Sequence, residues 1–301
     1  MGKASRRNRR QSQRPRRQYR PPIPFVARPF EGLSIERDLV AMREIIPAAV
    51  LAAQTNDELG AVDFDFVSLL PNGIPAMIRD DGRILVGLQT RTNSSDLSHD
   101  LGGAIKAAIE MADKGETGNV TFDVRDPAPR LQEVLDDQFL VGEGDHDEML
   151  LELHPDFAFW FTEEEAAEDD TAAALRQSRD EIVPTEEVPA SPGMYWCEMN
   201  NNFVRYLTQT GEDELFTALA RLQVSGDANM GEDSKFVGAF RAAGIAIPVF
   251  QVSKELSAEE LEGPANAFHE RLQEALANKE PLNHDEKRAR AGLVSRQVTI
   301  R

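Results

Sequence analysis

Between Thr162 and Pro192 the apolar patterning of this chain breaks off. That stretch holds ten acidic residues, only Arg176 and Arg179 as bases, and Pro184, Pro189 and Pro192 at its end. It reads as a linker or insertion, dividing 301 residues into two stretches of domain size. Each flank carries strand patterns with helix patterns beside them. That implies an α+β fold: two α/β-type halves with mixed or antiparallel sheets and flanking helices. The expected organisation is a disordered basic arm over 1–24, a first half over 25–161, the acidic segment over 162–192 and a second half over 193–301.

Local signals fill in the halves. Ser34 is the expected N-cap of a helix carrying Ile35, Leu39, Met42 and Ile46, limited by Pro47. Val62, Phe64 and Phe66 alternate with Asp63 and Asp65, as in a half-buried strand. Ala76–Ile78 and Ile84–Leu88 flank Asp81-Gly82, a strong hairpin signal. A helix from about Ser95 puts Leu97, Leu101, Ile105 and Ala108 on one stripe. Val120–Val124 and Met149–Phe161 read as strands, the second broken at Pro155, and Pro129 opens a short helix between them. In the second half Met194–Glu198 and Phe203–Leu207 pair across Asn200–Asn202. Thr210 with Asp213, Ser257 with Glu260 and Asn283 with Glu286 have capping-box spacing. Phe236 and Phe240 predict a helix ending near Gly244. Ile245–Val252 predicts a strand with Pro248 at an edge or bulge, Pro264 opens a helix with Phe268 and Leu272, and Val298–Ile300 is a short last strand. Ile84–Glu116 and Ile247–Glu280 share a strand-then-helix order, which coincidence of composition explains better than duplication.

Charge is segregated. Lys3, Arg6, Arg7, Arg9, Arg10, Arg14, Arg16, Arg17 and Arg20 lie in the first 20 residues with no acid among them, leaving 24 basic against 52 acidic residues in the body. No apolar h-region follows the cations, so the arm is not a signal peptide, and Pro21, Pro22 and Pro24 extend the backbone after it. The longest apolar run, Ile45–Ala53, is too short for a membrane span. These features point to a cytoplasmic protein with no membrane partner. Nine cations can neutralise phosphates by counterion release, without base readout because the arm has no element to enter a groove. The expected partners are RNA, the ribosome or another polyanion on the arm, and a protein on the acidic body. The plainer alternative is an arm that stays solvated or folds onto its own body.

Catalytic signals are sparse. Cys197, the one cysteine, excludes a disulfide framework and multi-cysteine zinc sites, and beside Tyr195 and Trp196 it reads as a buried structural residue. There is no Gly-x-Ser-x-Gly elbow and no glycine-rich nucleotide loop. Leu101-Gly102-Gly103 is a small-residue step suited to close packing. His146, Glu148, Glu152 and His154 share one strand face at period 2 and are the only metal candidates; a solvated face over Met149, Leu151 and Leu153 explains the same alternation. No catalytic residue and no cofactor is assigned.

Arg28-Pro29-Phe30-Glu31-Gly32-Leu33, Ala41-Met42-Arg43-Glu44 with Pro47-Ala48-Ala49, Arg79 through Thr90, and the end from Arg288 to Arg301 resemble an actinobacterial family, domain of unknown function 5926. The likeness spans nearly everything after residue 25. It implies little about activity. Some members carry an N-terminal SEC-C zinc motif and are labelled SecA-like; that motif is absent here, so neither zinc nor a translocase role carries over. Three readings remain. The first is a non-enzymatic binding or adaptor protein. The second is an enzyme assembled from dispersed residues, such as the His146/Glu148/Glu152/His154 face or Trp196-Cys197-Glu198 with Asn200–Asn202. The third is a protein-handling factor related to secretion.

Overall fold

The computed structural model of the protein describes residues 21–137, 151–296 and 298–299. After an extended lead-in comes α1 (Glu36–Glu44), then β1 (Ala49–Gln54), β2 (Asp63–Leu69), β3 (Ala76–Ile78) and β4 (Ile84–Gln89). Helix α2 (Leu97–Ala112), β5 (Gly118–Val120), α3 (Leu131–Val134) and β6 (Leu151–Leu153) follow. The first sheet has the order β5-β3-β4-β2-β1-β6. Its β3–β4 hairpin forms where Asp81-Gly82 foretold it: Gly82 takes φ +87°, a left-handed turn conformation that favours glycine, and its N–H donates to the Arg79 carbonyl at 2.9 Å.

The acidic segment runs through two helices, α4 (Glu163–Ala166) and α5 (Asp169–Glu181), and ends in β7 (Thr185–Glu187). Strand β7 is the edge of a second sheet, with β8 (Met194–Cys197), β9 (Asn202–Tyr206), β10 (Lys235–Ala242), β11 (Ile245–Val252) and β12 (Val298–Thr299) in the order β12-β10-β11-β9-β8-β7. Helices α6 (Glu212–Ser225), α7 (Glu262–Ala277) and α8 (His284–Arg296) cover it. The fold is α+β. Five strands follow the same order in each sheet, but the edge beside them is the last strand of the first sheet, β6, and the first strand of the second, β7; β2 and β4 run parallel whereas β9 and β11 run antiparallel. The shared order at 84–116 and 247–280 therefore does not extend to a common topology.

The two sheets share one core. Alternation along β8 sends Met194 and Trp196 toward the helices and Tyr195 toward α1; along β11, Ala246 and Phe250 face the helices while Ile245 and Ile247 face α1. Helix α1 is thus an inner layer: Leu39, Val40, Ala41 and Met42, four residues in succession, are all buried, which a surface helix does not do. Its cohesion comes from the Arg28–Leu33 motif and the residues around it. Arg28 clamps Glu36 through Nε and Nη2 at 2.6 and 2.7 Å, and Glu36 is only 2% exposed. Arg130 and Gln132 both donate to the Pro29 carbonyl, at 3.0 and 2.9 Å. Gly244, with φ +83°, lets the β10–β11 turn press against Arg28; a Cβ there would sit 2.6 Å from the Arg28 Cβ.

Several local expectations are corrected. The stretch around Phe236 and Phe240 is β10, not a helix: a spacing of four fits both periods, and pairing with β11 decides between them. Ser34 does not cap α1, which starts after Ile35 without a side-chain cap, and Thr210 bonds Thr208 rather than capping α6. Strand β5 covers only Gly118–Val120, and Ala158–Trp160 is a 3-10 turn rather than a strand. Pro248 is in a central strand rather than at an edge, and the expected bulge lies beside it: the β10 register shifts between Phe236 and Gly238, opposite Phe250 and Val249, and the β9 ladder begins only at Val249, so the missing N–H leaves no partner short on that side. The boxes at Ser257/Glu260 and Asn283/Glu286 form as expected. Gly102 and Gly103 are packing contacts, against the Pro129 carbonyl and the Phe122 ring.

Candidate functional site

The sequence candidates do not converge. The nine cations of the arm, and His146 and Glu148 of the metal candidates, lie outside the described residues. Glu152 is exposed on β6, and His154 follows it with Nε2 3.6 Å from Glu152 Oε2. Leu151 and Leu153, expected to be buried beneath that face, are only half-buried. Among the described residues no group of three or more His, Cys, Asp or Glu could hold a metal ion. Cys197 is fully buried in β8, and that burial pushes its thiol above the usual range, the opposite of an activated nucleophile. Asn202 is spent on the Lys254 carbonyl, 3.3 Å away.

Two of the histidines are engaged, His99 and His269. His99 is buried at the start of α2, its ring nitrogens each 3.0 Å from an oxygen, Asp100 Oδ1 and the Asp126 carbonyl. Beside it Asp96 caps α2, accepting from Ser98 N–H at 3.1 Å, and pairs with Arg130 Nε at 2.8 Å. This polar network ties α2 to the segment before α3. His269 Nδ1 lies 2.9 Å from the Tyr206 hydroxyl.

Two of the cavities that open where the halves meet bring charged and polar side chains together. The smaller, about 390 Å³, takes Ser34 and Arg37 from the first half and Ser191, Tyr206, Asn266 and His269 from the second. Next to it is a charged cluster that the sequence did not announce. Arg37 contacts Asp38 at 3.3 Å, and Glu187 accepts from Gly193 N–H at 2.8 Å. Burial raises the carboxyls of Asp38 and Glu187 above their ordinary values, and Arg37 opposes both shifts. Burial, with Glu187 and Asp38 nearby, likewise raises Tyr195. These residues lie in three separate stretches of chain, so no spacing rule could have linked them.

The larger cavity, about 470 Å³, lies between the outer strands of the two sheets. Ile46, Leu151, Leu153 and Ile182 give it an apolar floor, and Glu186 and Glu187 line one side. Among the described residues its one cation, Arg179, is paired to the buried Asp156 at 2.5 Å. Helix α5, which supplies Arg179, has no buried residue.

Among the described residues, the smaller cavity sets the Tyr206 hydroxyl against His269 Nδ1 at 2.9 Å, and burial raises that hydroxyl above its ordinary range. Otherwise what the two cavities carry is shape, charge and open backbone. Comparison with known sequences agrees with the motifs that build the α1 layer: the profile of DUF5926, a family of unknown function, matches residues 29–301. The chain belongs to this family. The DUF5926 match starts inside the Arg28–Leu33 motif and leaves the basic arm outside it. No curated protein and no solved structure matches the chain. The quoted DUF5926 motifs have structural work to do. Arg43 donates to the Leu88 carbonyl at 2.5 Å and Gln89 to the Met42 carbonyl at 3.1 Å, locking α1 to β4, and Arg79 reaches the Phe159 carbonyl at 3.0 Å.

Proposed function

We propose that this DUF5926 protein is a non-enzymatic binding or adaptor protein. Its arm docks on RNA, ribosomal or other, through Lys3, Arg6, Arg7, Arg9, Arg10, Arg14, Arg16, Arg17 and Arg20, and its acidic body meets a protein partner. The observation that carries this reading is the charge segregation: nine cations in 20 residues against 24 basic and 52 acidic residues in the rest. A body of that sign repels nucleic acid, so any attraction must come through the arm. Supporting it, Cys197 is buried with its thiol raised, and His99 has both ring nitrogens occupied.

The test is retention on single-stranded RNA by the full chain and by a deletion of residues 1–20, over a salt series. With all nine cations on phosphates, the slope of log K against log salt approaches about −6 (about −0.7 per phosphate contact). Retention that disappears with the deletion and follows this salt dependence supports the arm's role. Equal retention of the two proteins overturns it. A cytoplasmic location belongs to the same proposal; among the described residues no helix is long and apolar enough to cross a membrane.

A further inference from the structure

The larger cavity lies between two unpaired sheet edges, and the hydrogen-bond pattern says which backbone groups face it. In an antiparallel ladder, directly opposed residues alternate between pairs that exchange hydrogen bonds and pairs whose N–H and C=O groups point away. On β7, Val188 N–H donates to Met194 and Glu198 N–H donates to Pro184, at 2.8 and 2.9 Å. The register therefore bonds Glu186 to Trp196 and turns the backbone groups of Thr185 and Glu187 outward. On β6, His154 N–H donates to Ala48 at 2.9 Å, which by the same register turns Leu151 and Leu153 outward. Among the described residues no strand pairs with either open edge. Pro155 and Pro184 flank the edges, shortening them without blocking these four residues.

An open edge beside an apolar floor is the geometry of strand addition, in which main-chain bonds supply affinity and alternate side chains supply choice. We propose that this groove is the protein-partner site and that its occupant is an extended peptide segment of another protein. The segment adds to β7 as a further strand. By alternation its basic side chains lie on the Glu186 face of the sheet, and its apolar ones, on the other face, meet Leu151, Leu153 and Ile182. Charge complementarity selects a basic peptide: among the described residues the only cation lining the groove, Arg179, is already held by Asp156. The protein's own arm does not match the floor, since residues 1–20 offer only Met1, Ala4, Pro15 and Tyr19 as apolar side chains besides glycine. Helix α5, with nothing buried, can yield at the rim as the peptide enters. The proposal rests on the adaptor reading for its biological sense but not for its test.

The probe is a fluorescent eight-residue peptide alternating Lys and Val, read by anisotropy on the full chain, with the Glu-Val counterpart as control. The Lys-Val peptide binds about tenfold tighter or more. Thr185→Pro removes an outward N–H without touching the β8 ladder and weakens binding about tenfold. Glu186→Lys, at an exposed position, weakens it without threatening the fold. Amide exchange provides a readout that needs no variant: the Thr185 and Glu187 amides slow when peptide is added. Deleting residues 1–20 leaves peptide binding unchanged. The proposal is overturned if neither peptide binds, if both bind equally, if a folded Thr185→Pro variant binds as tightly as the parent, or if binding goes with the arm. A protein that holds RNA but no peptide loses this proposal alone. One that binds the peptide but no RNA loses only the arm's role.

Discussion

The shared core makes a sharp prediction, because each half contains one of the chain's two tryptophans. Trp160 stacks on Phe157 at 4.4 Å beneath the first sheet and donates to the Leu69 carbonyl at 2.7 Å. Trp196 sits in β8 among the residues packed under the second-half helices. The perturbation is Leu39→Ala in α1, a fully buried position between the sheets. Three buried carbons lost at about 0.8 kcal/mol each give about 2.4 kcal/mol. Incomplete collapse of the space they leave adds about 1–2 kcal/mol, for a total near 4 kcal/mol. With a urea dependence of about 3 kcal/mol/M, suited to a chain of this size, the midpoint falls by about 1.3 M. The assay is urea unfolding of two reporters, Trp196→Phe, which leaves Trp160, and Trp160→Phe, which leaves Trp196. Both midpoints fall together by that amount, since α1 packs on both sheets. A Trp160 midpoint that falls while the Trp196 midpoint stays would refute the shared core and make the second half an independent unit.

Two further outcomes follow from buried charge. Arg28→Met strands the carboxylate of Glu36 and costs about 3 kcal/mol, the low end for such pairs because Arg28 keeps some solvent contact; adding Glu36→Gln recovers a good part of it. A double variant no more stable than the single would show that Arg28 acts through packing instead. For Asp38, whose folded carboxyl is raised from 3.8 by burial, the sign is fixed: its contribution is fullest below pH 3.8 and is lost as pH rises through the folded value. Asp38→Asn therefore melts with the parent near pH 3 and above it near pH 7, and a variant that melts lower at pH 7 would mean the attraction of Arg37 outweighs burial.

Features settled within a few residues were legible in the sequence. Asp81-Gly82 turns the β3–β4 hairpin, and Asn283 with Glu286 caps α8, because each depends only on local dihedrals and one or two nearby hydrogen bonds. Where a pattern served two structures, reading failed. Phe236 and Phe240 are four apart, which suits a helix turn and a strand face alike, and only the Ala243-Gly244 turn and the β11 ladder make them strand. The cluster of Arg37, Asp38, Glu187 and Tyr195 was illegible for another reason: its members meet only once α1 lies against β8 and β7.

The sequence by itself determined the charge layout of this DUF5926 protein, the α+β class and most of its local elements. These depend on composition and on periods of two or 3.6 residues, which the chain carries wherever it folds. Tertiary structure decided that α1 is an inner layer, that the halves share a core, and that β6 and β7 stay open across one groove. Burial on two faces and the pairing of a strand's second edge depend on residues more than a hundred positions away, so no local window contains them.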